Sequence, residues 1–157
     1  RLLIANRYDS ACIFCEGMAA IKLIGMWGLI NIDERLVIQP FYASVSDFSN
    51  GLAIVSNGMY GLIDKQGKHR FELEYSKIIR TSAGTYIMAD KRGQQGLASA
   101  EGRLILSPFY EQLDDIGTGL IVATRNNKKG IYDHSGKLLA SFVHDEVVSL
   151  PSYVLIR

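Results

Sequence analysis

Short apolar runs alternate with polar, glycine-containing segments along the chain. In the clearest example, runs at residues 52–55 and 60–63 flank Asn57-Gly58, the dipeptide that best tolerates the positive φ angles of a tight hairpin turn. A second turn is opened by Asp64, whose carboxylate can accept hydrogen bonds from nearby backbone N–H groups. The pattern therefore predicts short antiparallel strands joined by tight turns.

A third apolar run completes each copy of this pattern and is clearest at residues 36–38 and 104–106. We expect it to end at Pro40 or Pro108, because proline has no N–H to donate to a sheet ladder. Three runs and two turns predict a three-stranded antiparallel meander. Both faces of residues 52–55 are apolar, so we expect stacked units to cover this strand on both sides.

A crossover segment must then carry the chain from one meander to the next. One apolar residue in each crossover is expected to be buried, and these residues are Phe14, Phe48 and Ile116. The distance from the glycine that ends each crossover to the glycine of the next second run, for example from Gly51 to Gly61, varies from 10 to 12 residues among the copies. Variable length is typical of an exposed turn tip, where an added residue disturbs no packing.

The whole pattern recurs with a period of about 34 residues, which indicates a repeat architecture. An anchor glycine recurs in steps of 33, 35 and 34 residues. A tyrosine follows fourteen residues after each of the first three anchors, with His144 in its place in the fourth copy, and a second glycine comes nine residues after each tyrosine. These repeat residues, with the aromatic residues that precede the first two anchors, are Trp27, Gly28, Tyr42, Gly51, Tyr60, Gly61, Tyr75, Gly84, Gly96, Tyr110, Gly119 and Gly130.

Tyr8 and Gly17 show the same nine-residue gap, which predicts the back half of a further copy at the start of the chain. At 157 residues the chain is long enough for one well-buried core. We therefore interpret residues 1–157 as a single repeat domain. Its parts are a partial repeat at residues 1–24 and repeats at residues 25–57, 58–91, 92–126 and 127–157.

The best copy resembles the WG repeat, a bacterial repeat family. The family pattern is Trp-Gly before a Leu/Ile-rich strand, a D-x-x-G turn, an Ile-x-Pro-x-Tyr stretch and a Phe-x-x-Gly-Leu-Ala close. The matching residues are Trp27, Gly28, Pro40, Tyr42, Phe48, Gly51, Leu52 and Ala53. The resemblance implies a β-repeat fold and an interaction role, and it supplies no catalytic residues. Later copies depart from it, with Gln95 and Lys129 in the tryptophan place and Leu73 in the proline place.

Two all-β architectures agree with tandem three-stranded repeats. In a propeller-like arrangement, the Gly-Leu-Ala strand is innermost and the crossover runs from the outer strand of one blade to the inner strand of the next. In the alternative, the units stack as an open β-solenoid. The small residues of the Gly-Leu-Ala strand and the tight turns favour the propeller-like arrangement.

Charge and hydropathy argue against two classes of partner. The formal net charge is +1, and the nearest basic cluster, Arg125 with Lys128 and Lys129, falls at a turn tip. Because nucleic-acid binding requires clustered Lys and Arg, we expect no nucleic-acid partner. Apolar runs are far shorter than the 18 or so residues of a membrane span, so we expect no span.

Candidate chemical groups are better explained as structural residues. Cys12 and Cys15 form a C-x-x-C sequence, which we interpret as plain thiols, with a disulfide or a metal site as alternatives. His69, His134 and His144 show no metal-ligand spacing. Asp114 and Asp115 are adjacent and would point to opposite faces of a strand.

Two rows of repeated residues could line a binding rim. Polar residues follow each anchor glycine by three positions, and we interpret them as turn-forming residues. The tyrosines could form an aromatic platform, but their fixed spacing favours a packing role with each hydroxyl bonded to backbone. The polar row is Asn31, Asp64, Ser99 and Asp133.

These observations favour a non-enzymatic scaffold that binds another protein. A carbohydrate-binding module using the tyrosine and Asn/Asp rows is the alternative, with a glycan as the ligand. For an enzyme we find no set of nucleophile, base and orienting group, and we expect no cofactor, no metal and no catalytic residues. The sequence leaves the cellular compartment open.

Overall fold

The computed structural model describes residues 7–150 and 153–157. Every regular element among these residues is a β-strand, and the strands form four antiparallel four-stranded sheets and one two-stranded sheet. The chain divides into two compact units, residues 1–75 and residues 76–157. The all-β prediction is confirmed.

The first unit contains two sheets, each with its strands in chain order. The first sheet contains β1 (Ser10–Ala11), β2 (Met18–Leu23), β3 (Met26–Asn31) and β4 (Leu36–Tyr42). The second sheet contains β5 (Ser44–Val45), β6 (Leu52–Ser56), β7 (Tyr60–Asp64) and β8 (His69–Tyr75).

The second unit repeats this order and ends in a hairpin. The third sheet contains β9 (Lys77–Arg80), β10 (Tyr86–Ala89), β11 (Gln95–Ala98) and β12 (Leu104–Tyr110). The fourth sheet contains β13 (Gln112–Asp115), β14 (Leu120–Arg125), β15 (Lys128–Asp133) and β16 (Leu138–His144). The hairpin contains β17 (Val147–Leu150) and β18 (Tyr153–Ile156).

Each large sheet has one strand more than the three-stranded meander predicted from the sequence. The added strand comes from the crossover segment. In the second sheet it is β5, where Ser44 pairs with Ser56 and Val45 with Val55. A two-residue strand that begins with serine has no apolar run to reveal it, so it forms only because β6 offers a free edge.

The Gly-Leu-Ala strand is interior to its sheet, whereas the sequence placed it innermost, as the first strand of a blade. β6 pairs with β5 on one side and with β7 on the other. Its backbone groups are therefore satisfied in both directions, and the short crossover strand takes the sheet edge.

The prediction that the third run ends at proline is wrong. β4 continues through Pro40 to Tyr42, and β12 continues through Pro108 to Tyr110. Both are edge strands, where a missing N–H costs no ladder bond. Next to each proline the register with the neighbouring strand is irregular.

This irregularity explains the anchor glycines, none of which has a positive φ. A Cβ atom on Gly28 would lie 2.5 Å from the backbone oxygen of Ile38, and one on Gly61 would lie 2.5 Å from that of Phe71. A Cβ atom on Gly96 would likewise lie 2.5 Å from the backbone oxygen of Leu106. Glycine is needed here because the backbone of the last strand bends onto it.

The sheets of each unit pack face to face. In the first unit, Ala20 and Leu29 of the first sheet share one core cluster with Ala53, Val55 and Ile63 of the second. In the second unit, the core cluster joins third-sheet and fourth-sheet residues, namely Ile87, Leu97, Leu106, Leu113, Ile121 and Ala123. Each fully buried leucine, isoleucine or valine of these clusters stabilises the fold by about 1.5–3 kcal/mol.

The crossover residues contribute to the core unequally. Phe48 is 4% exposed and belongs to the first cluster, while Phe14 packs half-buried against Ala19, Ile21 and Ile30. Ile116 is half-buried. Phe48 therefore carries the predicted packing role most fully.

Candidate interaction surface

The tyrosine that closes the first sheet is a packing residue. Tyr42 is 4% exposed, and its hydroxyl lies 2.8 Å from Nε2 of His69 on β8. Nδ1 of His69 in turn contacts the carboxylate of Glu72. Burial, followed by the charge of Glu72, raises the pKa of Tyr42 above its ordinary value. The hydroxyl thus bonds a side chain of the neighbouring sheet rather than the expected backbone group.

The equivalent tyrosine of the third sheet lies in an aromatic cluster. The hydroxyls of Tyr110 and Tyr132 are 2.8 Å apart, and the ring of Phe142 stacks on Tyr110 at 5.9 Å between centroids. Burial, with the hydrogen bond and charge of Tyr132, raises the pKa of Tyr110 to about 12. Tyr75 is half-buried and packs edge-on against Phe71.

The polar row after the anchor glycines forms turns. Asn31 Oδ1 accepts hydrogen bonds from the backbone N–H groups of Asp33 and Arg35. Asp64, Ser99 and Asp133 make the same pair of bonds, to the residues two and four positions ahead. These side-chain oxygens hold the hairpins together.

Both cysteines are free thiols. Cys15 Sγ donates a hydrogen bond to the backbone oxygen of Phe48 at 3.1 Å. Burial, with a smaller effect of the charge of Asp47, raises the pKa of the Cys12 thiol. Within the described residues no group of His, Cys, Asp and Glu has the arrangement of a metal site. Nor does that part of the chain contain a helix able to cross a membrane.

The structure brings together a polar cluster in the second unit that the sequence did not indicate. Asp115 accepts hydrogen bonds from both the backbone N–H and the hydroxyl of Ser82, at 2.7 and 2.6 Å. His134 Nε2 lies 3.8 Å from the other carboxylate oxygen, and its Nδ1 lies 2.8 Å from the hydroxyl of Thr85. These residues are distant in the sequence, so no local pattern could have placed them together.

The electrostatics of this cluster favour a charged carboxylate. Burial raises the pKa of Asp115, but the hydrogen bonds from Ser82 and Gly117 and the charge of His134 together bring it below its ordinary value. Hydroxyl, imidazole and carboxylate are also the groups of nucleophilic catalysis. Here Thr85 is only 6% exposed and its hydroxyl also contacts Thr81, so it is enclosed in protein. The arrangement ties β13 and the turns after β9 and β15 together.

Most of the exposed large apolar side chains lie on β4, β12 and β16, the last strands of their sheets. Phe41 on β4 is 56% exposed and Phe109 on β12 is 69% exposed. Both stand one residue before the repeated tyrosine. Because the tyrosine turns into the core, its neighbour faces outward. Further exposed apolar residues on these strands and on β16 are Leu36, Leu104, Leu138, Leu139 and Val143.

The second sheet departs from this pattern. Glu74 stands where Phe41 and Phe109 stand, and His69 stands where Leu36, Leu104 and Leu138 stand in the other sheets. The term edge-strand apolar surface denotes, for each unit separately, the exposed phenylalanine, Phe41 or Phe109, with the leucine at the start of the same strand.

The family model described as WG containing repeat matches residues 27–58. This match supports the WG repeat family for a stretch that begins at the tryptophan of β3. The WG repeat defined by sequence spans two sheets, because it covers most of β3 and all of β4 in the first sheet and β5 and β6 in the second. The chain matches no curated protein.

Proposed function

We infer that this chain is a non-enzymatic scaffold that binds another protein through its edge-strand apolar surface. The observation that carries the proposal is the exposure of Phe41 and Phe109 at one repeat position. Large exposed apolar side chains at matched repeat positions favour a binding role, since aromatic side chains are enriched in the buried part of protein interfaces. Their recurrence on the same edge strand argues against chance exposure.

The residues that prompted a carbohydrate-binding alternative have other contacts. Tyr42 is buried, Tyr110 is bonded to Tyr132, and the polar row closes turns. An aromatic platform for a sugar needs an exposed ring face. The outward Phe positions therefore favour a protein partner over a glycan.

The experiment is affinity capture from lysate of the source cell, read by mass spectrometry. The wild-type chain is compared with a Phe41→Ser, Phe109→Ser double variant. Because both side chains are exposed, we expect folding stability to change by no more than about 0.5 kcal/mol for each. The matched control is Glu74→Ser, which changes the same repeat position in the second sheet.

We expect a stoichiometric protein partner that binds wild type and Glu74→Ser but is lost from the double variant. Equal capture by all three chains would show that the edge-strand apolar surface is not the binding site. If no partner is captured and a glycan array gives saturable binding, the carbohydrate-binding alternative replaces the proposal.

A further inference from the structure

A pocket of about 220 Å³ opens in the second unit between the third sheet and β13. Ile87, Ala89 and Leu113 line it with buried apolar surface. Lys77 and Gln95 line it from the third sheet, and the acidic residues of its lining are Glu111 and Asp114. Its lining therefore mixes apolar side chains with charged and amide groups.

The pocket lies along one cross-strand row. Ala89 on β10 pairs with Lys77 on one side and with Gln95 on the other. Gln95 in turn pairs with Tyr110. The side chain of Gln95 is held at the pocket wall, because its Oε1 accepts the backbone N–H of Leu113 at 2.7 Å.

The equivalent row of the first sheet contains a tryptophan. Trp27 precedes its anchor glycine as Gln95 does, and it pairs with Tyr42 as Gln95 pairs with Tyr110. Its other neighbour is Lys22, in the place of Ala89. In that row the indole packs against the core cluster and the Lys22 ammonium lies 5.6 Å from the ring centroid.

The third sheet therefore lacks the tryptophan, the largest side chain of this row, and keeps its tyrosine as Tyr110. Alanine replaces lysine, and glutamine replaces tryptophan. The indole ring is therefore absent at Gln95, although this residue has the same cross-strand tyrosine as Trp27. The space left is large enough for an aromatic ring, since a cavity of about 150 Å³ holds one benzene molecule.

We propose that this pocket receives a tryptophan side chain from the partner protein, which supplies the ring that Trp27 supplies in the first sheet. The inference rests on the proposed protein-binding function and names a contact within it. Lys77, two positions along the row from Gln95, provides a cation in the pocket lining that can contact the ring. Glu111 and Asp114 provide carboxylates in the lining that can accept a hydrogen bond from the indole N–H. A buried aromatic anchor of this kind dominates the affinity of many interfaces.

The pocket is tested without the partner by titrating N-acetyl-tryptophanamide into the full chain and recording backbone amide shifts by NMR. We expect saturable shifts at Ala89 and Leu113, with a Kd on the order of 1 mM for so small a probe. N-acetyl-leucinamide should bind at least about fivefold more weakly, because it lacks the aromatic ring.

Two variants fill the pocket from within the chain. Gln95→Trp restores the missing indole, and Ala89→Leu fills the same space while keeping the hydrogen bond of Gln95. Each should weaken probe binding by about tenfold or more. Lys129→Trp is the matched control, since it adds a tryptophan at the same repeat position of the fourth sheet and should leave the shifts unchanged. Circular dichroism and thermal unfolding establish that each variant is folded.

Several outcomes would overturn the inference. The first is an absence of shifts in the wild-type chain. The second is binding of N-acetyl-tryptophanamide by folded Gln95→Trp and Ala89→Leu that is as tight as binding by the wild type. The third is binding of N-acetyl-leucinamide that is as tight as binding of N-acetyl-tryptophanamide. Partner capture is a separate measurement. A bound probe without a captured partner would reject the proposed function and keep an aromatic pocket, while a captured partner without probe binding would reject the pocket alone.

Discussion

The hydroxyl of Tyr42 lies 2.8 Å from Nε2 of His69, and this contact joins the last strand of the first sheet to the last strand of the second. Tyr42 is buried, and the side chain of His69 is 24% exposed. The two residues are 27 positions apart in the sequence. The contact therefore exists only because the two sheets stack.

A double-mutant cycle should measure this contact. Tyr42→Phe removes the hydroxyl, and His69→Leu introduces the residue that the third and fourth sheets have at the same position. We expect a coupling free energy of about 0.5–1.5 kcal/mol, as for a neutral hydrogen bond. Urea denaturation of the four proteins gives this value. Effects that add to within about 0.3 kcal/mol would show that the contact does not stabilise the fold.

Gly61→Val should strongly destabilise the first unit. The new Cβ would lie 2.5 Å from the backbone oxygen of Phe71, and a backbone group cannot move away as a side chain can. We expect the free energy of unfolding to fall by more than about 3 kcal/mol. A one-residue insertion after Gly58, at the exposed tip of the same hairpin, is the control and should cost less than about 1 kcal/mol. Equal thermal stabilities would contradict the role of the anchor glycine.

Gly130→Ala should be milder than Gly61→Ala. The atoms nearest to an added Cβ at Gly130 belong to the ring of Phe142, which stands in the proline place of the fourth copy. A ring can turn at a cost of about 1 kcal/mol, whereas the obstacle at Gly61 is main chain. Thermal unfolding of the two variants makes the comparison. A larger loss in Gly130→Ala would show that Phe142 is as rigid as backbone.

Alkaline pH should destabilise the fold through Tyr110. Its pKa is raised from 10 to about 12 when folded, so between these values the unfolded chain has lost a proton that the folded chain retains. The stabilising effect is fully present below pH 10 and is lost as the pH rises through 12. Tyr110→Phe should flatten the fall in stability above pH 10. Tyr132→Phe should flatten it only in part, because burial is the first cause of the shift.

Urea denaturation of the wild type and both variants at pH 9, 10 and 11 tests this. If Tyr110→Phe loses stability with pH as steeply as the wild type does, the raised pKa is not the cause.

Acid pH should weaken the second unit through Asp115. Its pKa lies below the ordinary value of 3.8, so in the window just below 3.8 the unfolded chain binds a proton that the folded chain does not. The stabilising effect is present above 3.8 and is lost as the pH falls through the folded pKa. Asp115→Asn should lower the free energy of unfolding at neutral pH by about 1–3 kcal/mol, since it removes the charged acceptor of Ser82.

The matched control is Asp114→Asn, because Asp114 accepts a hydrogen bond from Gln112 at the exposed surface. Chemical denaturation from pH 2 to pH 7 should show a shallower acid limb for Asp115→Asn only. The same change in both variants would mean that the cluster around Asp115 contributes nothing specific.

Local patterns gave much of the fold but little of the candidate site. The turns at Asn31, Asp64, Ser99 and Asp133 followed from residue type alone, because each oxygen bonds backbone within four positions. Residue type alone does not indicate the exposed Phe positions, although their place next to the repeated tyrosine is a usable signal. A side chain next to a buried residue on a strand must face the other way.

The sequence by itself determined the β class, the period of about 34 residues and the hairpin turns. These features depend on strand alternation and turn chemistry, which act over a few residues. Tertiary structure decided the fourth strand of each sheet, the Tyr42–His69 contact, the Ser82–Asp115–His134 cluster and the pocket beside Gln95. Each depends on which sheet edge is free or which faces stack. The last three join residues 18 to 49 positions apart, for which there is no local pattern.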